Sequence, residues 1–193
     1  WSAEKRYYFI AKMVCHASNY GMKPPTFRVN LLQKSEGKVS ISMAEAKRFL
    51  NTYHDLFPEI RLWHMETIST LRREGILRNL FGYPRVFTAN VDESMYKEAY
   101  AFVPQSTVGT ITNITFTKMQ QKIENPQDPL SSMNVDILQN NHDSVLIQCP
   151  PEHADYVAKE TIAIMNCDMV SPRGEKFSMK SEACVGDTWG GVA

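Results

Sequence analysis

The chain has 193 residues, 43% of them hydrophobic and 22% charged, a globular composition that could bury roughly 70% of its unfolded surface as one domain or two small ones. Lysine plus arginine and aspartate plus glutamate each number 21, which excludes an overall basic protein, so contact with a polyanion would have to rest on local patches. Cys15, Cys149, Cys167 and Cys184 form no CxxC pair or zinc spacing, and no apolar run is long enough for a membrane span, so a reduced intracellular setting without a membrane partner is expected.

From Glu4 to Tyr20, apolar Phe9, Met13 and Ala17 recur every four residues with Ile10 and Val14 beside them, which predicts an amphipathic helix stopping at Gly21. Ser42-Met43-Ala44-Glu45 has the form of a capping box opening a second helix through Ala46, Phe49, Leu50 and Tyr53. Pro58 suits the first turn of a third, carrying Ile60, Trp63, Ile68 and Leu71 to Gly75. Leu80 to Ala89 reads as a loop or short hairpin. Asp92 opens a helical stretch to about Tyr100, and Val103 to Ile123, rich in threonine, is a further helical segment.

After the loop Asn125–Pro129 the character changes. Val135–Gln139 and Ser144–Gln148 predict a β-hairpin with His142 and Asp143 at its tip. Pro150-Pro151-Glu152 begins another helix through Met165, and Lys176 to Val185 reads as a last strand. Helices first and sheet last make this an α+β chain.

Lys12, His16 and Tyr20 are four apart, and each such step rotates a helix by roughly 40°, so they form one stripe apart from the apolar set. A cation offers charge-assisted bonds to phosphate, and rings stack on a base for roughly 1–3 kcal/mol. A solvated lysine beside two partly buried rings would fit the same spacing. The run Lys12-Met13-Val14-Cys15-His16-Ala17-Ser18-Asn19-Tyr20-Gly21 resembles motif B of family A (DNA polymerase I-like) DNA polymerases, with the His-x-x-Asn-Tyr-Gly form of phage members. The resemblance implies that Lys12 holds the triphosphate of an incoming dNTP, His16 packs against its sugar and base, and Tyr20 occupies the insertion site. Where the family places an arginine four residues before the lysine, this chain has Tyr8. Arg6 is the nearest arginine, about 120° away in projection, from where its length could bring it to the γ-phosphate, so Tyr8 and Arg6 join the expected nucleotide-binding residues.

The hairpin tip Asn141-His142-Asp143-Ser144 is similar to motif C of the same family, in which the aspartate binds catalytic metals and the histidine lies near the primer terminus. Lys97-Glu98-Ala99-Tyr100-Ala101-Phe102-Val103-Pro104-Gln105-Ser106-Thr107 resembles the family's glutamine segment. Gln105 would then read the DNA minor groove, where acceptors are shared by all base pairs, with Lys97 as a further cation. Phe81-Gly82-Tyr83-Pro84-Arg85 is similar to the segment after the fingers, which makes Arg85 a DNA contact, and Val185-Gly186-Asp187-Thr188-Trp189 resembles the terminal Gly-x-x-Trp.

Taken together, the resemblance implies a right-hand polymerase architecture present in part: a helical fingers portion over 1–90, then part of a palm with an antiparallel sheet over 91–193. It implies a nucleotidyltransferase adding deoxynucleotides to a primer 3′-hydroxyl with two Mg²⁺ ions, in the cytoplasm of a phage-infected bacterial cell. Asp143 is one metal ligand. The second aspartate, in motif A, would lie upstream of Trp1, which itself suggests a beginning cut from something longer, so an upstream polymerase fragment joins primer-template DNA and dNTP as an expected partner. A noncatalytic nucleic-acid-binding remnant, or a subunit of a split polymerase, is the alternative. A metal-dependent nuclease would need several acidic residues near Asp143, and only Asp136 accompanies it.

Overall fold

The computed structural model describes residues 2–88, 92–171 and 173–192. Trp1 and Ala89, on which the cut beginning and the end of the Leu80–Ala89 loop were expected, lie outside the described residues. The chain divides into two compact units, Trp1–Pro104 and Gln105–Ala193.

In the first unit, α1 (Ala3–Asn19) is capped by Ser2, whose hydroxyl accepts from the Lys5 amide, and buries Ile10, Met13, Val14 and Ala17 on one side. α2 (Pro24–Lys34) starts on two prolines and presents Phe27 and Leu31, both fully buried. Each is worth roughly 1.5–3 kcal/mol of apolar burial. Val39, Ile41 and then Ala46 and Leu50 of α3 (Met43–Leu56) complete this core. The expected capping box is present: the Ser42 hydroxyl accepts from the Glu45 amide while the Glu45 carboxylate accepts from the Ser42 amide. α4 (Pro58–Glu74) has proline in its first turn and ends at Gly75, where φ is 66°.

A short antiparallel hairpin follows, β1 (Ile76–Arg78) with β2 (Pro84–Val86), so the segment after α4 is a hairpin whose first strand starts before Leu80. Leu71, Leu77, Met95 and Ala99 form a second core over which Phe87, Tyr96 and Phe102 pack.

The two helical stretches expected around residue 100 are a single helix, α5 (Glu93–Glu124), with Pro104 inside it. Proline removes one backbone bond, but Ala99 and Tyr100 before it and Thr107 after it are buried, and that packing carries the helix through. In the threonine-rich part Thr110, Thr112, Thr115 and Thr117 each turn a hydroxyl back onto the carbonyl four residues earlier, which satisfies the hydroxyls within the helix.

In the second unit, Met119, Leu130, Val135 and Val157 form the core. β3 (Asp136–Asn141) pairs antiparallel with β4 (Ser144–Gln148), with a bulge between Ile137 and Gln139. The helix expected from Pro150 begins as a 3-10 turn (Pro151–His153) and becomes α6 (Ala154–Met165) only afterwards. The last strand is shorter than expected: β6 (Lys176–Met179) pairs with β5 (Cys167–Val170), and residues 180–187 form neither helix nor strand. A final turn, α7 (Trp189–Val192), follows. The fold is therefore α+β, with three separate two-stranded antiparallel sheets among the described residues. No described helix is long and apolar enough to cross a membrane.

Candidate functional site

α1 turns its buried face, Ile10, Met13, Val14 and Ala17, to the first core. Lys12 and His16 are exposed and Tyr20 is half-buried at the helix end. Tyr8, one step earlier, is 71% exposed. The His16 and Tyr20 rings meet edge to face, with centroids 4.8 Å apart. The His16 residue is exposed overall, yet partial burial of its ring, and then the charge of Lys34, hold its pKa below the ordinary value, so at neutral pH it offers a neutral ring. Lys34, at the end of α2, is a cation near this stripe that spacing along α1 does not disclose. Arg6 is the smallest of the influences that lower the Glu45 carboxyl, after the Ser42 amide, the Ser42 hydroxyl and Arg48.

The end of α1 is held by a full set of bonds. The Gly21 amide donates to the Ser18 carbonyl at 3.2 Å and the Met22 amide to the Ala17 carbonyl at 2.8 Å, the double closure of a Schellman motif with Gly21 at φ 65°. Tyr53 of α3 donates its hydroxyl to Asn19 Oδ1 at 2.8 Å. His64 Nε2 of α4 lies 2.8 Å from the Asn19 carbonyl oxygen, and the Tyr100 ring of α5 stacks on His64 at 3.9 Å. Burial lowers the His64 pKa against the opposing pull of the Asn19 carbonyl, and burial raises that of Tyr100.

Gly21 leaves no room for a side chain, since a Cβ there would stand 2.9 Å from Tyr100 Cε2. Asn19, Tyr53, His64 and Tyr100 were missed in the sequence because four different helices contribute them.

Arg85, on β2, donates to Glu98 at 2.6 Å and stands over the Phe87 and Phe102 rings at 4.8 and 5.9 Å. Lys97 is exposed on α5 and adds to the lowering of the Glu93 carboxyl, which Lys23 dominates. In the second unit Gln105 is exposed. His142 and Asp143 form the two-residue tip between the paired Asn141 and Ser144. His142 adopts φ 58°, and the Asp143 amide donates to the Asn141 carbonyl at 2.7 Å. The tip is thus a tight, fixed turn with both side chains exposed. Among the described residues no group of three or more His, Cys, Asp or Glu could hold a metal ion. Asp143 offers at most two of the oxygens of an octahedral Mg²⁺ shell, so it fits as one ligand of a site that others must complete.

A model of DNA polymerase family A matches residues 2–191. The chain is similar to the thermostable DNA polymerase I of Thermus aquaticus, 25% identical over 158 residues, which is 79% of this chain and 18% of that protein. It is similar also to DNA polymerase theta of Drosophila melanogaster, 22% identical over 189 residues, 93% of this chain and 8% of that one. Among solved structures, the POL domain of Pol1 from M. smegmatis, determined in complex with DNA primer-template and dNTP, superposes with a TM-score of 0.63 at 20% identity, covering 80% of this chain and 26% of that one. At that identity the likeness speaks for the fold. The chain spans less than a fifth of the curated relatives named here. With the family match running through α1, the β3–β4 hairpin and the stretch between them, this chain belongs to DNA polymerase family A.

Proposed function

We propose that this chain is the fingers portion (1–90) and part of the palm (91–193) of a phage-type, template-directed DNA polymerase, adding deoxynucleotides to a primer 3′-hydroxyl. The observation that carries the reading is the stripe along α1: Lys12 and His16 stand exposed, away from the helix's buried side, and the half-buried Tyr20 ring at its end meets that of His16 edge to face. Lys12 neutralises the triphosphate of the incoming dNTP, a charge-assisted contact. His16 packs against sugar and base as a neutral ring, and Tyr20 closes the insertion site. Tyr8, where the family's arginine would stand, and Arg6, which reaches the γ-phosphate by its length, complete the nucleotide-binding set.

Asp143, on its fixed turn, is one carboxylate ligand for Mg²⁺. The chemistry supplied by divalent ions at such a site is activation of the 3′-hydroxyl and stabilisation of the departing pyrophosphate. His142, Gln105, Lys97 and Arg85 face primer-template DNA, Arg85 after release from Glu98. The reaction needs a second metal-binding aspartate of the motif A kind, one followed by a Ser-Gln-Ile-Glu-like strand, and none of Asp92, Asp128, Asp136, Asp155, Asp168 and Asp187 is followed by that sequence. The working partner is therefore an upstream polymerase segment, in a bacterial cytoplasm during phage infection, and the chain does not polymerise without it.

The test is primer extension with that segment supplied in trans. Activity that appears only with both pieces, and disappears in Asp143→Ala, is expected. In direct dNTP titrations, Lys12→Ala weakens binding by about tenfold, the worth of one bond to a charged group. Unchanged dNTP binding in Lys12→Ala would instead favour a noncatalytic nucleic-acid-binding remnant.

A further inference from the structure

At the C-terminal end of a helix the last carbonyls lack partners within the helix. In α1 those of Ala17 and Ser18 are taken by the Met22 and Gly21 amides, and that of His16 by the Tyr20 amide. The Asn19 carbonyl, next in line, is met from outside by His64 Nε2 at 2.8 Å. Imidazole reaching a carbonyl must donate, so Nε2 carries the proton.

The His64 ring is itself confined. Tyr100 stacks on one face at 3.9 Å with an interplanar angle of 24°, Trp63 lies 5.1 Å away, and His54 packs edge-on at 6.3 Å. Tyr100 also presses against Gly21, the residue that follows Tyr20. One ring of α4 and one of α5 thus contact the two residues that flank Tyr20 on either side.

We propose that His64 is a positioning residue for the nucleotide site: its Nε2–H to the Asn19 carbonyl, backed by Tyr100, sets the Asn19–Tyr20–Gly21 corner and so the place of the Tyr20 ring. The inference rests on the reading that Lys12, His16 and Tyr20 meet the incoming dNTP. His64 touches neither nucleotide nor metal; it acts through the backbone on the far side of the corner. The chemistry required is a neutral donor of fixed reach, which glutamine can imitate and phenylalanine cannot. Phenylalanine would keep the stack on Tyr100.

The experiment is a dNTP titration of the 193-residue chain by NMR, following the Lys12, His16 and Tyr20 resonances in wild type, His64→Phe, His64→Gln and Lys12→Ala. In His64→Phe the Tyr20 ring resonances shift before any nucleotide is added and dNTP affinity falls about fivefold, the equivalent of one ordinary hydrogen bond. His64→Gln returns affinity to within about twofold of wild type on the same ground.

Equal affinity in wild type and His64→Phe, with unchanged Tyr20 resonances, overturns the proposal and leaves the nucleotide reading standing. A wild type whose three stripe residues do not respond to dNTP, or a Lys12→Ala that binds as well as wild type, overturns the nucleotide reading and this inference with it. If His64→Phe does not fold, the wild-type imidazole spectrum decides: a proton on Nδ1 with Nε2 bare refutes the assignment.

Discussion

Gly21→Ala measures how tightly the end of α1 is packed. An alanine at φ 65° costs about 1 kcal/mol for left-handed backbone alone. Its Cβ would also stand 2.9 Å from Tyr100 Cε2 and 3.2 Å from Cδ2. That ring is 7% exposed and stacked on His64, so it cannot swing away, and overpacking of this kind costs about 1–3 kcal/mol. The sum is a loss of about 2–4 kcal/mol, reduced by a few tenths to 1 kcal/mol because alanine also stiffens the unfolded chain.

Gly37→Ala is the control. Its φ is 79° and nothing lies within 4 Å of the new Cβ, so only the backbone cost of about 1 kcal/mol applies. Urea unfolding followed through Trp63, whose ring lies 5.9 Å from that of Tyr100, reports this unit. With a slope of about 2 kcal/mol per molar, Gly21→Ala should lower the midpoint by about 0.5–1.8 M and Gly37→Ala by about 0.3 M or less. Equal losses in the two variants would refute the argument that Tyr100 closes on Gly21.

Two further outcomes are expected. Burial is the leading cause that lowers His16, His54 and His64, so the unfolded chain takes up protons first as pH falls past about 6.5. The stability these rings contribute is whole above that value and declines below it, whereas the lowered Glu45 and Asp128 carboxyls lose theirs only in a more acidic range. A urea midpoint that stays level or rises between pH 7.5 and 5.5 would contradict this. Ser42→Ala, which strips the hydroxyl from the capping box of α3, should cost about 1 kcal/mol, and an unchanged melting temperature would show that the cap contributes nothing.

Features carried by one short stretch of chain were legible in advance. The capping box at Ser42, proline in the first turn at Pro58, the stop at Gly75 and the His142–Asp143 tip each depend on neighbours within a few residues. The α1 stripe was legible for the same reason, since helical rotation alone groups Lys12, His16 and Tyr20. α2 was not: Phe27 and Leu31 are its buried residues, while Val29 and Leu32 are exposed, so no clean apolar face marks it. Pro104 read as a boundary because its backbone cost is local, whereas the burial that overrides it comes from other elements. β5 contributes a single buried residue, Met169. The latch behind Tyr20 lies furthest from view, because His64 stands 45 residues from Asn19 and Tyr53 stands 34 away, and nothing in either local pattern announces the meeting.

The bulge in β3 bears on Asp143 in a way the motif's own letters do not. Leu138 is the extra residue, since Ile137 faces Ile147 and Gln139 faces Leu146 across the ladder. Deleting it would keep every cross-strand partner and the whole His142–Asp143 turn, yet straighten a ribbon that bulges bend and twist. Over a lever of about 13 Å from Leu138 to the tip, each ten degrees of straightening would carry the carboxylate roughly 2 Å, well beyond the half ångström or so that a metal site of the kind proposed would tolerate. Aim is thus stored upstream of the residue that is aimed, and a chain with an intact His-Asp tip but a shortened strand before it would point the Asp143 carboxylate elsewhere.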